Sequence, residues 1–131
     1  MNLMTWNMQG AGTSSDPKAK WKKLADWLLS QPNSSRPNIV ALQECGVVPD
    51  KLPGTYVFDR DISGSGWVVK LYRWTAQNAT GTENQVYYVS YSELDKGANR
   101  VNLAIVTEAN PTNAITIWSN LIKRYKGLTL F

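Results

Sequence analysis

The 131-residue chain contains no histidine. This removes the commonest general base, the Ser–His and Cys–His dyads and the usual imidazole ligand of zinc, so hydrolytic chemistry would have to use other groups. Cysteine is nearly absent too. The lone Cys45 has no internal partner, and its place just after the apolar run Val40-Ala41-Leu42 reads as a buried, inert thiol rather than a reactive one. No apolar run approaches the roughly 20 residues that span a bilayer. No secretory signal precedes the first apolar segment, where Met1 passes straight into Asn2-Leu3-Met4-Thr5-Trp6, and the expectation is a cytoplasmic or already processed protein without membrane contact. A strong charge of one sign is also missing. Fourteen Lys and Arg against ten Asp and Glu leave +4, which attracts polyanions weakly and falls short of a dedicated nucleic-acid coat.

An apolar content of 43% with 18% charged residues excludes a disordered chain. A chain of this size buries roughly two-thirds of its unfolded surface, enough for one core without disulfide staples. Residues 1–131 are read as a single domain. Residues 2–7 form a short strand, followed by the small-residue loop Gln9 to Ser15. Asp16-Pro17 is a helix start, because Asp16 can cap free amides and Pro17 loses nothing at the first helical position. Trp21, Leu24, Ala25 and Leu28 then fall at helical spacing, and the helix runs from Asp16 to about Gln31, before Pro32. The apolar run Ile39 to Leu42 is the next strand, making Met1 to Glu44 a β-α-β unit with parallel strands. The Pro-, Gly- and Asp-containing stretch 46–66 reads as a loop. Beyond it, Val68–Trp74, Val86–Tyr91, Val101–Thr107, Ala114–Trp118 and Leu128–Phe131 read as an antiparallel meander. The fold class is therefore α/β (α+β), one mixed sheet with a β-α-β start.

Asn7 and Glu44 come to the carboxyl ends of the two parallel strands, where ligands of such sheets tend to bind. A carboxylate ending a buried strand is costly unless paired. Magnesium would pair with it, since this ion takes only one or two protein carboxylates and keeps water. From the spacing alone, a strand-end Glu facing solvent is the commoner case. Arg100 precedes a strand, where its planar fork could clasp a phosphate, although a surface arginine is the commoner case. Lys18, Lys20, Lys22 and Lys23 give weak nucleic-acid contact or simply a solvated helix face. Most of the six Trp and six Tyr are expected in the core rather than stacked on bases. Asn78-Ala79-Thr80 matches a glycosylation sequon but reads as a turn.

Three blocks, Thr5-Trp6-Asn7-Met8-Gln9-Gly10, Ile39-Val40-Ala41-Leu42-Gln43-Glu44 and Arg100-Val101-Asn102-Leu103-Ala104-Ile105-Val106, occur in that order. Together they resemble the catalytic subunits of the cytolethal distending toxins, a branch of the magnesium-dependent endonuclease/exonuclease/phosphatase family with the fold of pancreatic-type deoxyribonuclease. The resemblance implies half of a deoxyribonuclease-like sandwich, the N-terminal half. It implies that Glu44 is a metal-binding glutamate with Asn7 beside the metal, that Arg100 contacts phosphate, and that Lys126 or Arg124 stands near a second phosphate contact. Family members are longer and carry a catalytic histidine, a Gly-Asp-x-Asn block and a closing Ser-Asp-His block, none of which occurs in these 131 residues. The expectation is a non-catalytic binding or interaction module with weak magnesium and weak nucleic-acid or phosphate affinity. The alternative is a magnesium-dependent phosphodiesterase, alone or completed by a second chain. The apolar positions on both sides of Val86-Tyr87-Tyr88-Val89 and Leu103-Ala104-Ile105-Val106 further imply an open sheet face, covered in a homodimer or by a separately encoded second half.

Overall fold

The computed structural model describes residues 2–10, 12, 16, 18–46, 52–63, 68–92 and 102–108. In chain order these give β1 (Leu3–Asn7), α1 (Ala19–Ser30), a single 3₁₀ turn at Asn33–Ser35, β2 (Ile39–Gln43), β3 (Thr55–Asp61), β4 (Val69–Gln77), β5 (Asn84–Ser92) and β6 (Leu103–Thr107). The strands make one mixed six-stranded sheet in the order β1-β2-β6-β5-β4-β3. β1 and β2 are parallel, with Leu3 opposite Ile39 and Asn7 opposite Gln43, while every other pairing is antiparallel. The α/β class, the β-α-β start and the meander are as the sequence implies. The expected strands Ala114–Trp118 and Leu128–Phe131 lie outside the described residues.

Strand alternation sends Met4, Trp6, Val40, Leu42, Ala104, Val106, Val89, Tyr87, Tyr91, Tyr72 and Trp74 to the face that α1 covers. The helix meets them with Trp21, Leu24, Ala25 and Leu28, one stripe at spacings of three and four. Trp21 packs edge-on against Trp74, with ring centroids 5.9 Å apart. The helix begins later than the sequence suggests. Ala19 is its first residue, and Asp16 acts from outside it: its carboxylate accepts the Lys18 amide at 2.9 Å and meets the Lys22 ammonium at 2.8 Å, while its carbonyl accepts the Ala19 amide. The Lys22 hydrogen bond, then the Lys18 amide, holds the Asp16 carboxyl below its ordinary range.

The second face of the sheet is the one turned away from α1. Leu71 (0% exposed), Ile105 (1%) and Leu103 (7%) are buried within the single chain. Among the described residues, the exposed large apolar side chains on that face are Leu3, Val57 and Val86. Val89 lies on the face under α1, paired across the sheet with Val106.

At the amino-terminal end of β2, Arg36 is a buried cation whose three nitrogens each donate to a partner. Its Nε donates to the Gln31 carbonyl (3.0 Å), Nη2 to the Leu29 carbonyl (3.2 Å) and Nη1 to Gln85 Oε1, with Glu83 3.5 Å from Nη2. The guanidinium therefore ties the α1–β2 connection to the β4–β5 hairpin without leaving an unpaired charge inside. Within that hairpin Asn78 bonds Thr82 and the Glu83 amide, as a turn residue does.

β3 falls inside the stretch that reads as a loop. It starts after Gly54, whose φ of +96° is open to glycine and whose added Cβ would sit 2.3 Å from the Thr75 carbonyl oxygen. Gly54→Ala is expected to lose about 2 kcal/mol or more of stability, from backbone strain plus displacement of β4. Gly81 also has positive φ, +69°, but open space around it, so Gly81→Ala should lose only about 1 kcal/mol. Urea midpoints of the two variants check this, and equal losses would remove the role given to the close approach.

Candidate metal and phosphate site

The parallel pair β1–β2 brings its two carboxyl ends side by side. Past the Asn7–Gln43 pair the strands stay tied, with the Met8 amide donating to the Gln43 carbonyl (2.9 Å) and the Gly10 amide to the Glu44 carbonyl (2.8 Å). Glu44 thus follows directly on the residue paired with Asn7, as the β-α-β reading predicts. Both strand ends turn sharply there. Gln9 and Glu44 have φ of +54° and +50°, values uncommon for residues with a Cβ. The Gln9 turn is closed by Asn7 itself, whose Oδ1 accepts the Gln9 amide at 3.0 Å.

The Glu44 turn is closed from three other elements. Trp21 Nε1 of α1 donates to the Cys45 carbonyl (3.3 Å), and the Cys45 amide donates to the Asn102 carbonyl (3.0 Å). The Gly46 carbonyl accepts two side-chain donors, the Tyr91 hydroxyl (2.8 Å) and Asn102 Nδ2 (2.9 Å). Sequence reasoning gives Tyr91 and Asn102 no part in the site. A signal for one of them exists: Asn102 is a polar residue set between Val101 and Leu103 in the third block.

The four lysines of the helix segment do not share one role. Lys20 Nζ donates to the Met8 carbonyl and, at 3.4 Å, to the Gln9 carbonyl, bracing the loop beside Asn7. Lys22 is paired with Asp16. Lys23 lines a shallow groove with Met4, Thr5, Trp6, Leu24 and Trp27, and Lys18 is half-buried at the helix start. Arg100, Arg124 and Lys126 lie outside the described residues.

As metal donors, Glu44 and Asn7 offer one carboxylate and one amide carbonyl. Asn7 Oδ1 keeps a lone pair beyond its bond to Gln9. Among the described residues no group of three or more Cys, Asp or Glu side chains could hold an ion. This hard, sparse oxygen set fits a hydrated magnesium ion and does not fit zinc.

The fold is that of an α/β protein with a Glu and an Asn at the neighbouring carboxyl ends of two parallel strands. Known proteins narrow the class. The structure of CdtB, the biologically active subunit of cytolethal distending toxin, matches with a TM-score of 0.60 and 31% identity, over 82% of this chain and 39% of that one. The cytolethal distending toxin of Haemophilus ducreyi matches with a TM-score of 0.58 and 33% identity, over 81% and 38%. In sequence the chain is similar to the CdtB homolog of Salmonella typhi, 32% identical over 115 residues, covering 88% of this chain and 40% of that protein. No protein-family model matches the chain. The chain is a partial CdtB-like protein, spanning about two-fifths of the length of the relatives it matches. No helix among the described residues is long and apolar enough to cross a membrane.

Proposed function

We propose that residues 1–131 carry the metal-facing and phosphate-facing part of a deoxyribonuclease-like site and act as a non-catalytic binding module, with weak affinity for magnesium and for nucleic-acid or other phosphate groups. The observation that carries this reading is the juxtaposition of Asn7 with a Glu44 held in a left-handed turn at the carboxyl edge of β1–β2. Glu44 and Asn7 would hold the ion, which when bound supplies a Lewis acid for phosphate oxygens. Lys20 braces the turn that follows Asn7, and the Arg100 side chain would supply a planar donor fork for phosphate. With no histidine in the chain, the usual group that would accept the proton of attacking water is missing. A general base contributes about 10²- to 10⁴-fold, and the short donor set weakens the metal besides.

Supercoiled plasmid incubated with the purified chain and magnesium or manganese is therefore expected to stay supercoiled. Nicking that disappears in Glu44→Ala, in a preparation free of host nuclease, would overturn the non-catalytic reading. A second reading is supported by the similarity to the Salmonella typhi CdtB homolog, of which the chain covers 40%: the site hydrolyses phosphodiesters once the remaining groups are supplied.

A further inference from the structure

Polar groups inside a core are costly unless they are used. Tyr91 is 4% exposed and Asn102 wholly buried, yet both spend a side-chain donor on one acceptor, the Gly46 carbonyl two residues after Glu44. Apolar residues of similar size would fill the same space without that obligation. What the two bonds achieve is local. Together with Trp21 on the Cys45 carbonyl and the Asn102 carbonyl on the Cys45 amide, they fix the backbone of a turn whose leading residue, Glu44, stands at φ +50°. A side-chain-bearing residue leaves that conformation readily unless its surroundings hold it.

We propose that Tyr91 and Asn102 are positioning residues for Glu44, which lock its turn so that the carboxylate is presented beside Asn7 before any cation arrives. The inference rests on the reading of Glu44 and Asn7 as a cation site. A site with two protein donors depends heavily on preorganisation, because its apparent dissociation constant rises in inverse proportion to the fraction of chains whose ligand is in place. The two residues come from β5 and from the entry to β6, so the sheet itself sets the ligand.

The test is titration of the 131-residue chain with magnesium, followed by backbone amide NMR, and with manganese, followed by paramagnetic broadening at Asn7 and Glu44. Glu44→Gln should abolish both responses. Tyr91→Phe, which keeps the ring and removes only the hydroxyl, should weaken magnesium about three- to tenfold at a temperature where the protein is fully folded. Asn102→Ala should do the same. Asn102→Asp, similar in shape but with no N–H to donate, should fail to restore affinity. If wild-type protein shows no response, or Glu44→Gln binds as wild type does, the cation site itself is refuted. If Glu44→Gln abolishes binding while Tyr91→Phe and Asn102→Asp keep the wild-type dissociation constant, the site stands and the positioning role falls.

Discussion

Trp74→Ala is expected to lose about 3–5 kcal/mol, a large share of the 5–15 kcal/mol that holds a typical domain together. Trp74 is fully buried on β4. It meets Trp21 of α1 edge-on at 5.9 Å and lies 6.1 Å from Tyr87 of β5, so one ring joins the helix to the middle of the sheet. Its Nε1 also donates to the Pro53 carbonyl at 2.6 Å, fixing the entry to β3. Truncation removes all three at once, leaves a ring-sized cavity and orphans the Pro53 acceptor. Trp27, 41% exposed on the same helix, is the control, and Trp27→Ala should change stability by no more than about 0.5 kcal/mol. Urea unfolding read by circular dichroism measures both. A loss below about 2 kcal/mol for Trp74→Ala would mean that the helix is held to the sheet by something other than this ring.

The contrast between Trp74 and Trp27 also shows what the sequence makes legible. The spacing of Trp21, Leu24 and Leu28 identifies the buried stripe of α1, and a helix between two short apolar strands implies parallel neighbours, which places Asn7 beside the end of β2. β3 is hidden for a physical reason. As the last strand of the described sheet it is almost wholly exposed, carries Asp59, Arg60 and Asp61 within seven residues and is irregular between Phe58 and Arg60, so no alternation survives to be read. β6 is the opposite case. Flanked by β2 and β5 and buried at all five residues, it shows apolar side chains on both faces, which in the sequence looks like a sheet lacking its cover. The Glu44 clamp is illegible for a third reason: Tyr91 and Asn102 are 45 and 56 residues from the carbonyl they hold, and only the pairing of β2, β6 and β5 brings them there.

Cys45, inside that clamp, offers the most sensitive report on whether the turn stays shut. Burial pushes its thiol from 9.0 up to about 12. Only the thiolate attacks a disulfide reagent, so a thiol moved that far leaves about a thousandfold less reactive species at pH 8. Cys45 in the folded chain is therefore expected to react about a thousandfold more slowly than the same thiol in urea-unfolded protein. The sign of the accompanying stability change follows from the same shift. The folded thiol holds its proton more tightly than the unfolded one, so the stabilisation is fully present below about pH 9 and is lost as pH rises from there through about 12. The urea midpoint should fall over that window, and Cys45→Ser should flatten the fall. Labelling of the folded protein at the unfolded rate at pH 8 would show that the turn after Glu44 opens freely, and a strand end that opens freely presents no fixed carboxylate to a cation.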